Sequence, residues 1–193
     1  MVRERKHRDK IVRATSSLIR RRGYAATGVN DIVAESGAPK GSLYHYFPGG
    51  KDEIVAHALR YAGDLVAGTL ADIARAHARP AEVARIYGER LAEWMAQSNF
   101  VDGCPVTTTM LEIEAEQTGI ADACCAAYRQ WRKTFSDLLV NAGVDLEKAE
   151  NLALLAVMLL EGALILARAE RNIRPIRAAF DEIARQFEAA TPP

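Results

Sequence analysis

Apolar residues recur along this chain with a helical period and almost nowhere alternate as a strand would require. From Asp9 onward, Ile11, Ala14, Leu18 and Ile19 form one face of a helix. It ends at Arg20-Arg21-Arg22-Gly23, where cations suit the negative end of the dipole and glycine permits the stop. A short helix is expected over 29–36, with Ile32 and Val33 inward and Gly37 ending it. A third covers 40–47 and is closed by Pro48-Gly49-Gly50. The pattern then predicts helices over 51–78, 81–97, 106–116, 120–141, 146–171 and from near Pro175 to 189. Pro80, the loop 98–105, Gly119, Gly143 and the capping Asp145 punctuate them. The predicted fold class is all-α, with about nine helices at the usual helix length and no internal repeat.

The segment from Thr27 to Lys51 concentrates the candidate chemistry. Two short helices with Gly37 in the turn have the layout of a helix-turn-helix. The second helix offers Lys40, Gly41, Ser42, Tyr44 and His45 to a groove. Lys40 can reach phosphates or guanine edges, Gly41 lets the backbone approach closely, and Tyr44 and His45 can bond phosphate oxygens. Leu43 and Phe47, four residues apart, point inward and dock this helix on the first two. Lys51 and the free N–H groups at the start of the next helix make a phosphate clamp. Each feature also has a plainer reading: Tyr44 and Tyr46 as packing aromatics, the triple Arg run as a solvated helix end, and His7 with its basic neighbours as a disordered tail rather than an arm on DNA.

Charge changes the picture only when it is divided. The 193 residues carry 25 Lys+Arg and 25 Asp+Glu, a formal zero that by itself argues against a nucleic-acid partner. Residues 1–51 hold 11 Lys+Arg and 4 Asp+Glu, a formal +7, which leaves −7 on residues 52–193. A basic head on an acidic body points to nucleic-acid contact. The expected domains are therefore a DNA reader over 1–51 and a second domain over 52–193. Three Cys without a CxxC pair argue against a disulfide framework or a zinc module. The expectation is a reduced cytoplasmic protein without metal or cofactor. No secretory leader is expected, and the most apolar run, 152–167, falls short of a membrane span.

The stretch GYAATGVNDIVAESGAPKGSLYHYF resembles the DNA-binding domain of TetR-family transcriptional repressors over about residues 8–56. FPGGK and GCPVTTTMLE resemble the LmrA/YxaF-like branch, whose members typically regulate efflux or detoxification genes. The resemblance implies an N-terminal three-helix DNA-binding domain and a C-terminal helical ligand-binding and dimerisation domain. It places Lys40, Gly41, Ser42, Tyr44 and His45 on the recognition helix, and Thr27 and Lys51 on phosphates. One departure is that Gly49 and Gly50 both stand between Pro48 and Lys51, where many relatives have a single residue.

The acidic body is less diagnostic. Tyr128, Trp131, Phe135 and Leu138 share one helical face, as a plain core or as the wall of an apolar cavity. The resemblance favours Trp94, Met110, Trp131 and Met158 as ligand-binding residues. Glu161, set in an apolar helix, must be paired, protonated or exposed at a cavity, where it orients a ligand or pairs with an Arg. Cys104, Cys124 and Cys125 read as a thiol switch or as inert packing. Gly162, Ala163, Ala167 and Ala169, with Ile176, Ala179, Phe180, Ile183 and Phe187, form a candidate self-association face for a two-fold homodimer. The expected mechanism is a repressor released from a palindromic double-stranded DNA operator when a small, largely apolar effector changes the tilt of the helix that starts at Lys51. An enzyme is the main rival, but no GxSxG, HExxH, P-loop or dinucleotide motif occurs. A protein that uses DNA as a scaffold for another protein is the third reading.

Overall fold

The computed structural model describes residues 2–192, with side chains from His7 onward. Among them there are nine α-helices and no strand: α1 Val2–Arg22, α2 Val29–Ser36, α3 Lys40–Tyr46, α4 Lys51–Ala76, α5 Pro80–Gln97, α6 Pro105–Glu112, α7 Thr118–Asn141, α8 Leu146–Glu170 and α9 Arg174–Ala190. The all-α expectation holds. Helix α1 begins earlier than the apolar stripe predicted, because the Arg, Lys and Glu residues before Asp9 are good helix formers with no breaker among them. The basic N-terminal residues, His7 included, therefore lie on a helix rather than a loose arm. Helix α6 stops at Glu112 where Ile113 turns extended. Gly119, expected to break the chain, sits in the first turn of α7, where the backbone N–H groups have no helical partner to lose.

The chain divides into two compact units, residues 1–64 with 104–127 and residues 65–103 with 128–193. The division falls inside α4 and α7 rather than at residue 51, because packing and not charge draws it.

In the first unit, α1 packs on α2, α3 and α6. Ile11, Val12, Leu18, Ile32, Ala38, Leu43, Phe47 and Ile54 form one buried cluster, with Val29, Val33, Tyr46 and Tyr61 against it. Gly37 caps α2 in the left-handed conformation, φ 60°, and its N–H donates to the Val33 carbonyl. That turn directs the chain from α2 into α3. Arg21 and Arg22 close the angle from the other side, pairing with Glu35 at 2.6 Å and Asp31 at 3.0 Å. The triple Arg run thus includes two cations engaged with α2. Such exposed pairs add little stability and serve mainly as orientation.

In the second unit, α9 packs on α5 and α8. Ile176, Phe180, Ile183 and Phe187 form its buried face. The Phe180 ring meets Tyr87 edge-on at 5.5 Å, and Phe187 meets Phe135 of α7 at 6.1 Å. Arg177 grips Glu89 with two nitrogens, and Arg85 pairs with Glu188 at 3.0 Å, so α5 and α9 are also tied at the surface. Helix α8 is, among the described residues, the one helix long and apolar enough by length and composition to cross a membrane. Its inner face, including Ala149, Ala153, Ala156, Leu160, Ala163 and Ala167, is buried in the fold.

Candidate nucleic-acid interface

Helix α3 is short, and its two sides differ completely in exposure. Leu43 and Phe47 are fully buried, whereas Lys40, Gly41, Tyr44 and His45 are exposed and Ser42 is partly so. Tyr44 keeps 49% of its surface accessible, too much for a packing aromatic. Tyr46 is half-buried against the core, which gives it the packing role. A Cβ placed on Gly41 would touch nothing, so the backbone there faces open space. Lys40 Nζ donates to Asn30 Oδ1 of α2 at 3.3 Å, which steadies the lysine at the start of the helix. The result is a polar ridge with two donors of long reach and a bare backbone, the surface that phosphates and base edges in a groove accept.

The flank of α3 is fixed by α1 and α4. The Arg8 guanidinium lies 5.5 Å from the centre of the Phe47 ring and 3.2 Å from His57 Nδ1, while the Phe47 and His57 rings stand 5.5 Å apart. Burial holds the His57 imidazole below its ordinary value, Arg8 and Arg60 push it further down, and Glu53 opposes them. A depressed histidine takes its proton less readily folded than unfolded. The stability tied to its neutral form is complete above its unfolded value of ~6.5 and is lost as pH falls through the folded one. Thermal melts should therefore drop between about pH 7 and pH 5 more steeply for the wild type than for His57→Gln. Parallel pH profiles for the two proteins would remove this role from His57.

Thr27 and Lys51, the two residues given phosphate roles by resemblance, have different surroundings. Thr27 is fully buried, and its hydroxyl donates to the Gly23 carbonyl at 2.7 Å. Its side chain braces the turn between α1 and α2 instead of facing outward. Lys51 does open α4, but its ammonium lies 3.9 Å from the centre of the Tyr24 ring. Burial lowers its pKa, against the raising effect of Asp52 and Glu112. Asp31, at the entry to α2, accepts from the Gly28 N–H at 2.9 Å. That bond, then Arg22, holds its carboxyl below the usual value.

The candidate ligand residues fall in different places. Trp131 is buried and stacks edge-on with Tyr128 at 5.5 Å, and Trp94 and Glu161 are half-buried. Met110, on α6 of the first unit, is exposed, as is Met158 on α8. Within the second unit an open cleft of about 430 Å³ is lined by Arg129, Arg132, Lys133, Glu150 and others, none of them a candidate ligand residue. Cys104 and Cys124 are buried, with the Cys124 thiol pushed up to about 11 by burial and then by Cys125. Such a thiol is a poor nucleophile. Cys125 alone is exposed.

The self-association face needs correction. Ile176, Ala179, Phe180, Ile183 and Phe187 are buried within the chain, because α9 turns its apolar side to α5 and α8. Ala163 and Ala167 are buried as well. The exposed apolar stripe runs instead along the outside of α8, through Leu154, Met158, Gly162, Ile165 and Ala169. Apolarity all round that helix concealed from the sequence which side would remain free.

Comparison with known proteins agrees with this geometry. Residues 11–58 match the model of bacterial regulatory proteins of the tetR family, and residues 80–182 match the C-terminal domain of LmrA/YxaF-like transcriptional regulators. The chain is 30% identical to the HTH-type transcriptional regulator LmrA of Bacillus subtilis (strain 168), over 88% of this chain and 90% of that one. It is 31% identical to the HTH-type transcriptional regulator YxaF of the same organism, over 91% and 92%. Among solved structures, a TetR transcriptional regulator from Chloroflexus aurantiacus superimposes with a TM-score of 0.80 at 25% identity, covering 99% of this chain and 98% of that one. With matches at both ends of the chain and along nearly its whole length, this protein belongs to the tetR family of bacterial regulatory proteins, in its LmrA/YxaF-like branch, and is a transcriptional regulator rather than an enzyme.

Proposed function

We propose that this protein is a cytoplasmic, homodimeric repressor that leaves a palindromic DNA operator when it binds a small, largely apolar molecule, and that it controls efflux or detoxification genes. The observation that carries the DNA reading is α3, whose Leu43 and Phe47 are buried while Lys40, Gly41, Tyr44 and His45 stand exposed. Lys40, Gly41, Ser42, Tyr44 and His45 are the groove contacts, and Lys51 is a phosphate contact. Thr27 supports the reader through its turn. Residues 1–51 form the reading domain proper, and 52–193 supply effector binding and dimerisation. The exposed α8 stripe supports a two-fold dimer, with Gly162 allowing two copies of the helix to approach closely. Two-fold symmetry places two readers about one helical turn of DNA apart.

The relatives' names support regulation, and the resemblance of the C-terminal part supports an effector. Trp94, Met110, Trp131, Met158 and Glu161 remain the proposed effector contacts, with Met158 shared between that role and the α8 stripe. The effector releases DNA only by preferring the non-binding state, and α4, which contributes residues to both units, carries that preference.

Gel shifts and footprints on the DNA flanking the protein's own gene test the reading. Sequence-selective binding that weakens steeply with salt is expected, and its absence would sink the proposal. In the same assay Met158→Asp should lower operator affinity and shift sedimentation toward the monomer. An unchanged sedimentation coefficient and affinity would move the dimer off α8.

A further inference from the structure

Lysine is a flexible four-carbon stem, and an ammonium that must be ordered when DNA arrives costs affinity. Here the ammonium of Lys51 is already placed over the Tyr24 ring, an electrostatically favourable seat. The ring is itself held. Tyr24 is buried, its hydroxyl donates to Asp52 Oδ1 at 2.9 Å and accepts from the side-chain amide of Gln117. The same amide donates to Asp52 Oδ2 at 3.3 Å, so Gln117 closes a triangle with Tyr24 and Asp52. Gln117 lies between α6 and α7, far along the chain from either partner but in the same compact unit. Its own loop is fastened: Gln117 Oε1 accepts from the Glu114 N–H at 3.1 Å. At the other end of that loop, Glu112 Oε2 accepts from the Ala25 N–H at 2.8 Å, and its carboxyl fills the space a side chain on Gly23 would occupy. The short connection between α6 and α7 thus grips the turn after α1 on both sides of Tyr24.

We propose that Gln117 is a positioning residue for DNA binding: by fixing the Tyr24 hydroxyl against Asp52, it holds the ring that seats Lys51 for its phosphate. The inference rests on the reading of Lys51 as a phosphate contact. Loss of the Gln117 amide leaves the α3 surface untouched and frees the Lys51 ammonium. The sequence-reading contacts then remain while one phosphate contact weakens.

The test uses the full-length protein and a duplex selected from random-sequence DNA by the wild type. Affinity is measured as a function of salt for the wild type, Gln117→Ala, Tyr24→Phe, Lys51→Met and the double variant Gln117→Ala/Lys51→Met, with thermal melts confirming that each is folded. Tyr24→Phe keeps the buried ring and removes only its hydroxyl. Gln117→Ala and Tyr24→Phe should each weaken binding about 5- to 10-fold near 0.1 M salt and lower the salt slope by up to ~1.8, the share of one phosphate at each of the dimer's two readers. Gln117→Ala should add nothing in the Lys51→Met background. A plain loss of stability would lower the active fraction and leave the slope unchanged. A wild-type slope for Gln117→Ala, or an effect that adds in full to that of Lys51→Met, overturns the inference while the repressor reading stands. A wild type from which no selective, salt-sensitive duplex can be recovered overturns both.

Discussion

Phe47→Ala is expected to abolish operator binding and to unfold the reader at temperatures where the wild type is intact. The ring is completely buried among Ile11, Leu18, Ile32, Leu43 and Ile54, at the end of α3. Removing it leaves a cavity under α3 and takes away the ring beside which Arg8 and His57 lie. Buried Phe→Ala changes cost roughly 3–5 kcal/mol, and a typical domain has only ~5–15 kcal/mol in total. Amide exchange should accelerate over α1–α3, and the gel shift should disappear. Phe47→Leu is the control: a hydrophobic swap that nearly conserves volume costs on the order of 1.5 kcal/mol or less and should keep DNA binding. Equal melting temperature and operator affinity for Phe47→Ala and the wild type would show that α3 does not depend on this anchor.

The second large effect lies at the crossing of α5 and α9. A Cβ on Gly88 would stand 2.4 Å from the Phe180 Cβ and 2.6 Å from its Cγ, so the two helices are close enough that only hydrogen fits. The obstructing atoms are the root of a buried aromatic, which cannot swing away as the end of a flexible side chain can. Gly88→Val must therefore push the helices apart, at roughly 1–3 kcal/mol or more for overpacking. For a protein of this length each kcal/mol shifts the melting point by about 2–4 °C, so a drop on the order of 5–10 °C is expected. Phe180→Ala alone should cost ~3–5 kcal/mol through its cavity. In that background Gly88→Ala should cost less than in the wild type, since the Cγ and the ring are gone, but it stays destabilising because the Cβ at position 180 still stands 2.4 Å away. Full additivity of Gly88→Ala and Phe180→Ala in thermal melts would contradict the close crossing.

Much of the fold can be read from local pattern. The bounds of α2 were legible to the residue, because Gly37 stops it, and α3 ends within one residue of expectation before Pro48-Gly49-Gly50. The split of α3 into a buried Leu43/Phe47 side and an exposed Lys40/Tyr44/His45 side follows from the spacing of one apolar pair. The same reasoning failed where the signal was composition alone. Gly119 looked like a breaker and proved harmless at the start of a helix, and the Arg run at 20–22 gave no hint that α2 carries carboxylates to meet two of its members.

By itself the sequence determined the helices, their order, the basic head and the polar ridge of α3, since each depends on residues a few positions apart. Only the tertiary structure decided that Thr27 is buried, that α9 turns Phe180 and Phe187 inward, and that the free apolar stripe belongs to α8. It alone brought Gln117 to Tyr24 and Asp52, and Glu112 to Ala25. The physical reason is range. Helical periodicity and capping are written in local spacing, whereas the partner of a side chain 65 to 93 residues away depends on how whole helices pack. For a helix apolar on every side, such as α8, no periodicity tells which face the fold will cover.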